Sequence, residues 1–125
     1  MRALLVISTL ALTGCTLSGM VEKPVIYQGI ETRLLEDDLV NFKVAVRQSE
    51  DPATADAYAR CAAAQYTLIR GYGFLRHVRT ATSLDGDVLT GDAVYTISPA
   101  LPAGRRTIDA EVTVADCNVS GIPTV

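Results

Sequence analysis

Three cysteines, a single histidine and two short acidic runs are the residues of this 125-residue chain whose types could do chemistry. Cys61 and Cys117 form an isolated pair. In an oxidising compartment such a pair in a small domain makes a disulfide, with two buried thiols as the alternative. Two thiolates without histidines beside them make a poor zinc cage, and no C-x-x-C is present to suggest a redox site. His77 stands in Leu75-Arg76-His77-Val78-Arg79. A general base needs a nucleophile and an orienting carboxylate, and the sequence places neither next to it, so it reads as a strand surface residue and no catalytic set is assigned. Asp85-Gly86-Asp87 with Asp92 offers oxygen ligands, but lacks the twelve-position alternation and closing glutamate of a calcium loop; a hairpin turn is expected. Glu36-Asp37-Asp38 likewise reads as a tight turn rather than a metal site. With no G-x-S-x-G, P-loop or dinucleotide fingerprint, neither cofactor nor metal is expected.

Cys15 belongs to a different chemistry. Met1-Arg2 is followed by the apolar run Ala3 to Leu12, too short to span a bilayer as a helix, for which about 20 apolar residues are needed. The run ends in Leu12-Thr13-Gly14-Cys15, which resembles the lipobox of bacterial lipoproteins. Ordinary signal cleavage wants small residues at both −1 and −3, where Leu12 is bulky. The resemblance implies a signal peptide over 1–14, diacylglyceryl on the Cys15 sulfur and usually a third acyl chain on its amine, enough for stable anchoring. Residues 15–24 would form the lipidated start and a tether, and 25–125 a single domain facing the periplasm. Thr16, rather than Asp, after Cys15 favours the outer membrane over the inner by analogy with enterobacterial lipoproteins.

Those residues need a scaffold, and composition limits it. At 49% hydrophobic the chain has room for one modest core. Lys and Arg total 11 against 14 Asp and Glu, with both signs scattered. That argues against nucleic acid as a partner, since counterion-release binding needs a basic stripe. Arg105-Arg106 is read as part of a solvated loop. Asn118-Val119-Ser120 matches a glycosylation acceptor that bacteria usually leave unread.

A helix is expected from Asp51-Pro52 to Arg70-Gly71, with Asp as N-cap, Pro at the first helical position and Gly past the end. Ala55, Tyr58, Ala62, Tyr66 and Ile69 recur at helical spacing, with Cys61 and Leu68 at the stripe's edge. Val40, Phe42, Val44 and Val46 alternate with Asn41, Lys43 and Arg47 as in a half-buried strand. Ile30, Thr32 and Leu34 make a strand before it. Phe74 to Ser83, Asp92 to Ser98 and Thr107 to Ala115 make three after the helix. The last alternates Ile108, Ala110, Val112 and Val114 against Asp109, Glu111 and Thr113, which puts Cys117 on the polar face unless the strand bulges or ends near Asp116. The order ββαβββ predicts an α+β domain, one helix on an antiparallel sheet of about five strands.

From Tyr27 to Phe74 the chain resembles an uncharacterised family of small proteobacterial lipoproteins. The similar features are Gly29-Ile30-Glu31-Thr32-Arg33 with its acidic turn, Phe42-Lys43-Val44, Tyr58-Ala59-Arg60-Cys61-Ala62-Ala63-Ala64, Thr67-Leu68 and Gly71-Tyr72-Gly73-Phe74. Where that family continues into a Gly-containing turn, this chain has Val46-Arg47-Gln48-Ser49. The resemblance implies no activity. The sequence therefore leads to a lipid-anchored envelope protein of non-enzymatic character, held to the membrane through Cys15 and engaging another envelope protein or serving a structural role. A periplasmic small-ligand module, with a pocket between helix and sheet lined by Phe42, Tyr58 and Tyr66, is the alternative. An enzyme with an unrecognised site ranks last.

Overall fold

A computed structural model describes Gly14, residues 23–101 and residues 106–125. Cys15, nearly all of the leader and Arg105 lie outside the described residues.

The fold is α+β. Strands β1 (Ile26–Glu36), β2 (Leu39–Arg47), β3 (Phe74–Asp85), β4 (Val88–Ser98) and β5 (Ile108–Asp109) form one antiparallel sheet in the order β1-β2-β4-β3-β5, with helices α1 (Pro52–Ile69) and α2 (Ala110–Ser120). Because β2 and β3 flank β4 and both run antiparallel to it, they are parallel to each other. A two-residue turn cannot join parallel strands, so α1 makes the crossover.

Local chemistry sets the ends of α1. The Asp51 carboxylate accepts from Ala53 N at 3.0 Å, and Pro52 opens the helix where a missing N–H costs nothing. Gly71, at φ 76°, closes it, while Tyr72 N returns to Thr67 O at 2.9 Å. Val40, Phe42, Val44 and Val46 are buried, as are Leu89, Ala93, Tyr95 and Ile97 from β4. The alanines of α1 let the helix lie close over them. A Cβ on Gly91 would stand 3.1 Å from Val44 Cγ2 and 3.2 Å from Ala55 Cβ, tighter than ordinary contact, so the glycine lets helix and sheet approach closely here. Ile69, expected on the core stripe, is 63% exposed: it is the last residue of the helix, whose final turn meets the core through Tyr66, Thr67 and Leu68 instead.

Two strand expectations are corrected. β4 starts at Val88, four residues before Asp92, since Gly86-Asp87 suffices to turn the hairpin. Thr107 to Ala115 is not a strand: only Ile108 and Asp109 pair with β3, and a helix follows at once. The Asp109 carboxylate caps that helix by accepting from Val112 N at 3.0 Å, and Gly121 ends it at φ 69°. Ala110, Val114 and Cys117 then fall on one helical face, which resolves the placement of Cys117 on a polar strand face. Cys117 is bonded to Cys61, both nearly buried, tying α2 to α1 across 56 residues of sequence. Closing a loop of that size stabilises the fold by about 4 kcal/mol on the chain-entropy model.

Candidate functional site

The expected pocket between helix and sheet is filled. Phe42 is fully buried, with Tyr66 against it edge to face at 5.7 Å and Tyr95 at 6.1 Å, while Tyr58 packs on Tyr27 at 4.8 Å. These aromatic rings pack the core and leave no ligand space between them.

The concave site lies at the other edge of the sheet. β5 pairs only with Phe74 and Leu75, so among the described residues no strand covers the β3 edge beyond them. There a cleft of about 740 Å³ is lined by Arg60 of α1, Arg76 and His77 of β3, and Arg106 and Ile108 from the approach to β5. A bulge in β3 shapes it. Pairing steps from His77↔Tyr95 to Arg79↔Val94, leaving Val78 as the extra residue. In a regular strand residues three apart point to opposite faces, but the bulge brings His77 and Thr80 to the same, helix-facing side. His77 Nε2 lies 2.6 Å from Thr80 Oγ1, and that hydroxyl donates to Asp56 Oδ1 at 3.0 Å. With the Thr80 hydrogen directed at the carboxylate, His77 Nε2 must carry hydrogen and donate to Thr80 Oγ1. In this arrangement the imidazole donates to Thr80 rather than accepting its proton, and the chain of groups holds the ring in place.

Asp56 also meets Arg60 at 3.6 Å, one turn along α1. Arg76 and Arg106 are exposed and make no ion pair among the described residues. Arg106 is exposed and outside any helix or strand, as expected of a solvated loop, and it also lines the cleft. Behind the wall, Tyr95 is fully buried beside the His77 ring at 5.1 Å, and its hydroxyl has no hydrogen-bond partner among the described residues. Burial first, and then the charge of Asp56, push its phenol up to about 12, with Arg60 pulling the other way.

His77 was legible as a singular residue, but its partners were not. Asp56, Arg60, Thr80 and Arg106 come from three segments, and only the β3 bulge and the placement of α1 bring them together. The i, i+4 spacing of Asp56 and Arg60 was the one local signal. Elsewhere, Asp85 and Asp87 sit at the β3–β4 hairpin, where Asp87 pairs with Arg47 at 2.6 Å, and Asp92 accepts from Asn41 at 2.5 Å. No three acid, histidine or cysteine groups gather as for a metal among the described residues.

Residues 27–121 match the protein family described as the YNQ4 C-terminal domain, a range running from β1 to the glycine that ends α2. The chain is 32% identical over 87 residues to a protein of Paracoccus denitrificans described as the uncharacterized 26.9 kDa protein in the nqo8 5′ region. The alignment covers 70% of this chain and 34% of that relative, so the chain spans about a third of the relative's length. No solved structure matches.

Proposed function

As this chain belongs to the YNQ4 C-terminal domain family, whose description states a domain and no activity, we propose that it is a non-enzymatic binding module of the cell envelope. Lipid on Cys15 holds it at a membrane, and its domain faces the periplasm. The observation that carries this reading is the buried Cys61–Cys117 bridge: a disulfide joining the only two helices among the described residues suits an oxidising compartment. The lipobox-like Leu12-Thr13-Gly14-Cys15 supplies a route there. Thr16 favours the outer membrane. No described helix is long and apolar enough to cross a membrane. Binding is favoured over catalysis because the one imidazole is held against a hydroxyl that already donates its hydrogen to Asp56.

The small-ligand reading gains from a specific observation, the cleft at Arg60, Arg76, His77 and Arg106, whose volume falls within the roughly 300–1,000 Å³ of ligand sites. The test is fractionation of bacteria expressing the full chain. The protein is expected in the membrane fraction and to need detergent for release, while Cys15→Ala shifts it to the soluble fraction or leaves it as unprocessed precursor. A wild-type chain released without detergent would contradict the anchor.

A further inference from the structure

The chain carries a net charge of −3, yet three guanidiniums and the single imidazole converge on one cleft. Among the described residues only Arg60 of the three has an ion pair, with Asp56 at 3.6 Å, and that carboxylate also accepts from Thr80. Arg76 and Arg106 line the same cleft from the β3 edge and from the approach to β5, and neither makes an ion pair among the described residues. Positive charges that line one cleft repel one another, and an anion bound between them relieves that repulsion. The planar fork of each guanidinium presents paired N–H donors that match tetrahedral oxyanions. His77, with hydrogen on Nε2 committed to Thr80, keeps its ring at the cleft wall with Nδ1 as its remaining polar atom. Ile108 adds an apolar wall, so the space suits an organic body as well as a charged head.

From this geometry we infer that the cleft between α1, β3 and β5 is a binding site for a phosphate monoester dianion, with Arg76 and Arg106 as its principal contacts and Arg60 completing the ring. The inference rests on the reading that the domain acts by binding, but not on the lipid at Cys15. The same phosphoryl chemistry is offered by a soluble phosphorylated metabolite and by a phosphatidate headgroup.

The experiment is calorimetric titration of the purified full chain in non-ionic detergent with glycerol 3-phosphate, beside inorganic phosphate. Flotation with vesicles of phosphatidylcholine, with and without phosphatidic acid, forms the lipid arm. Saturable binding is expected, weakened roughly tenfold or more in Arg76→Gln and Arg106→Gln, since each removes a charge-assisted contact. Arg33→Gln, on β1 at the opposite edge and paired with Glu31, is expected to bind as wild type does. Thermal melting gives a second reading: phosphate raises the wild-type Tm and leaves that of the two cleft variants unmoved. Binding in the titration assigns a soluble ligand; binding confined to phosphatidic acid vesicles assigns a headgroup. No saturable binding in either arm, or equal loss in Arg33→Gln, would overturn the site. Because the titration is done in detergent, failure of the anchor leaves its result unchanged, and the two proposals fail separately.

Discussion

At the residue scale, Tyr95 links burial to pH. Its phenol is held at about 12 mainly by desolvation, while in the unfolded chain it ionises near its ordinary value of 10. Folding favours the protonated form, so the folded state binds more protons between those values. Stability is fully present below about pH 10 and falls as pH rises toward 12. Denaturant melts at stepped alkaline pH should show this decline, and Tyr95→Phe should flatten it; an equal decline in the variant would place the cause elsewhere. Tyr58 is also raised by burial, so a residual slope is expected. Gln48 makes a second case. It leaves β2 with φ 63°, the left-handed region that costs a side-chain-bearing residue on the order of 1 kcal/mol. The glycine turn absent from this chain's Val46-Arg47-Gln48-Ser49 would relax it. Gln48→Gly is expected to raise unfolding free energy by roughly 0.5–1 kcal/mol, the larger entropy of the unfolded glycine chain taking back part of the gain. Unchanged or lower stability by chemical denaturation would contradict this.

At the scale of elements, the helix–sheet approach at Gly91 sets the height of α1 over the core. Gly91→Ala places a methyl 3.1 Å from Val44 Cγ2 and 3.2 Å from Ala55 Cβ, against a strand and a helix that cannot both move away. Overpacking of this kind costs about 1–3 kcal/mol, and the check is the urea midpoint of the variant. A midpoint equal to wild type would mean α1 rides higher than described. Elements whose ends are marked by their own residues were legible in the sequence. Asp51, Pro52 and Gly71 bounded α1, and Val40 to Val46 showed the face of β2. α2 was not, because Val112 and Val119 are exposed on it, and Val112 completes a period of two with Ala110 and Val114. Asp109 as cap and Gly121 as stop were the better signal. The α+β class and the antiparallel sheet follow from local pattern. The cleft depends on a bulge and on contacts between segments distant in sequence, which no local period encodes.

For the whole molecule, the sheet separates the start of β1 from the cleft. Ile26, where the tether would enter, pairs with Arg47, which faces Val88 and through it Asp85 at the hairpin end. Arg76 and His77 lie nine and eight residues back along β3, about 30 Å away at the usual strand rise, and three strands across. A domain tethered at β1 would thus carry its basic cleft at the far corner, open to the periplasm rather than pressed on its own bilayer. That arrangement suits a module that meets soluble ligands or a facing partner while fixed at one membrane. The most direct measurement of the central claim is intact mass of the chain extracted from membranes, with and without reduction. The proposal predicts a mature species beginning at Cys15, heavier by two or three acyl chains, that gains two hydrogens on reduction. A chain beginning elsewhere without acyl mass would contradict the anchor, and one that takes up no hydrogen would contradict the bridge that joins its helices.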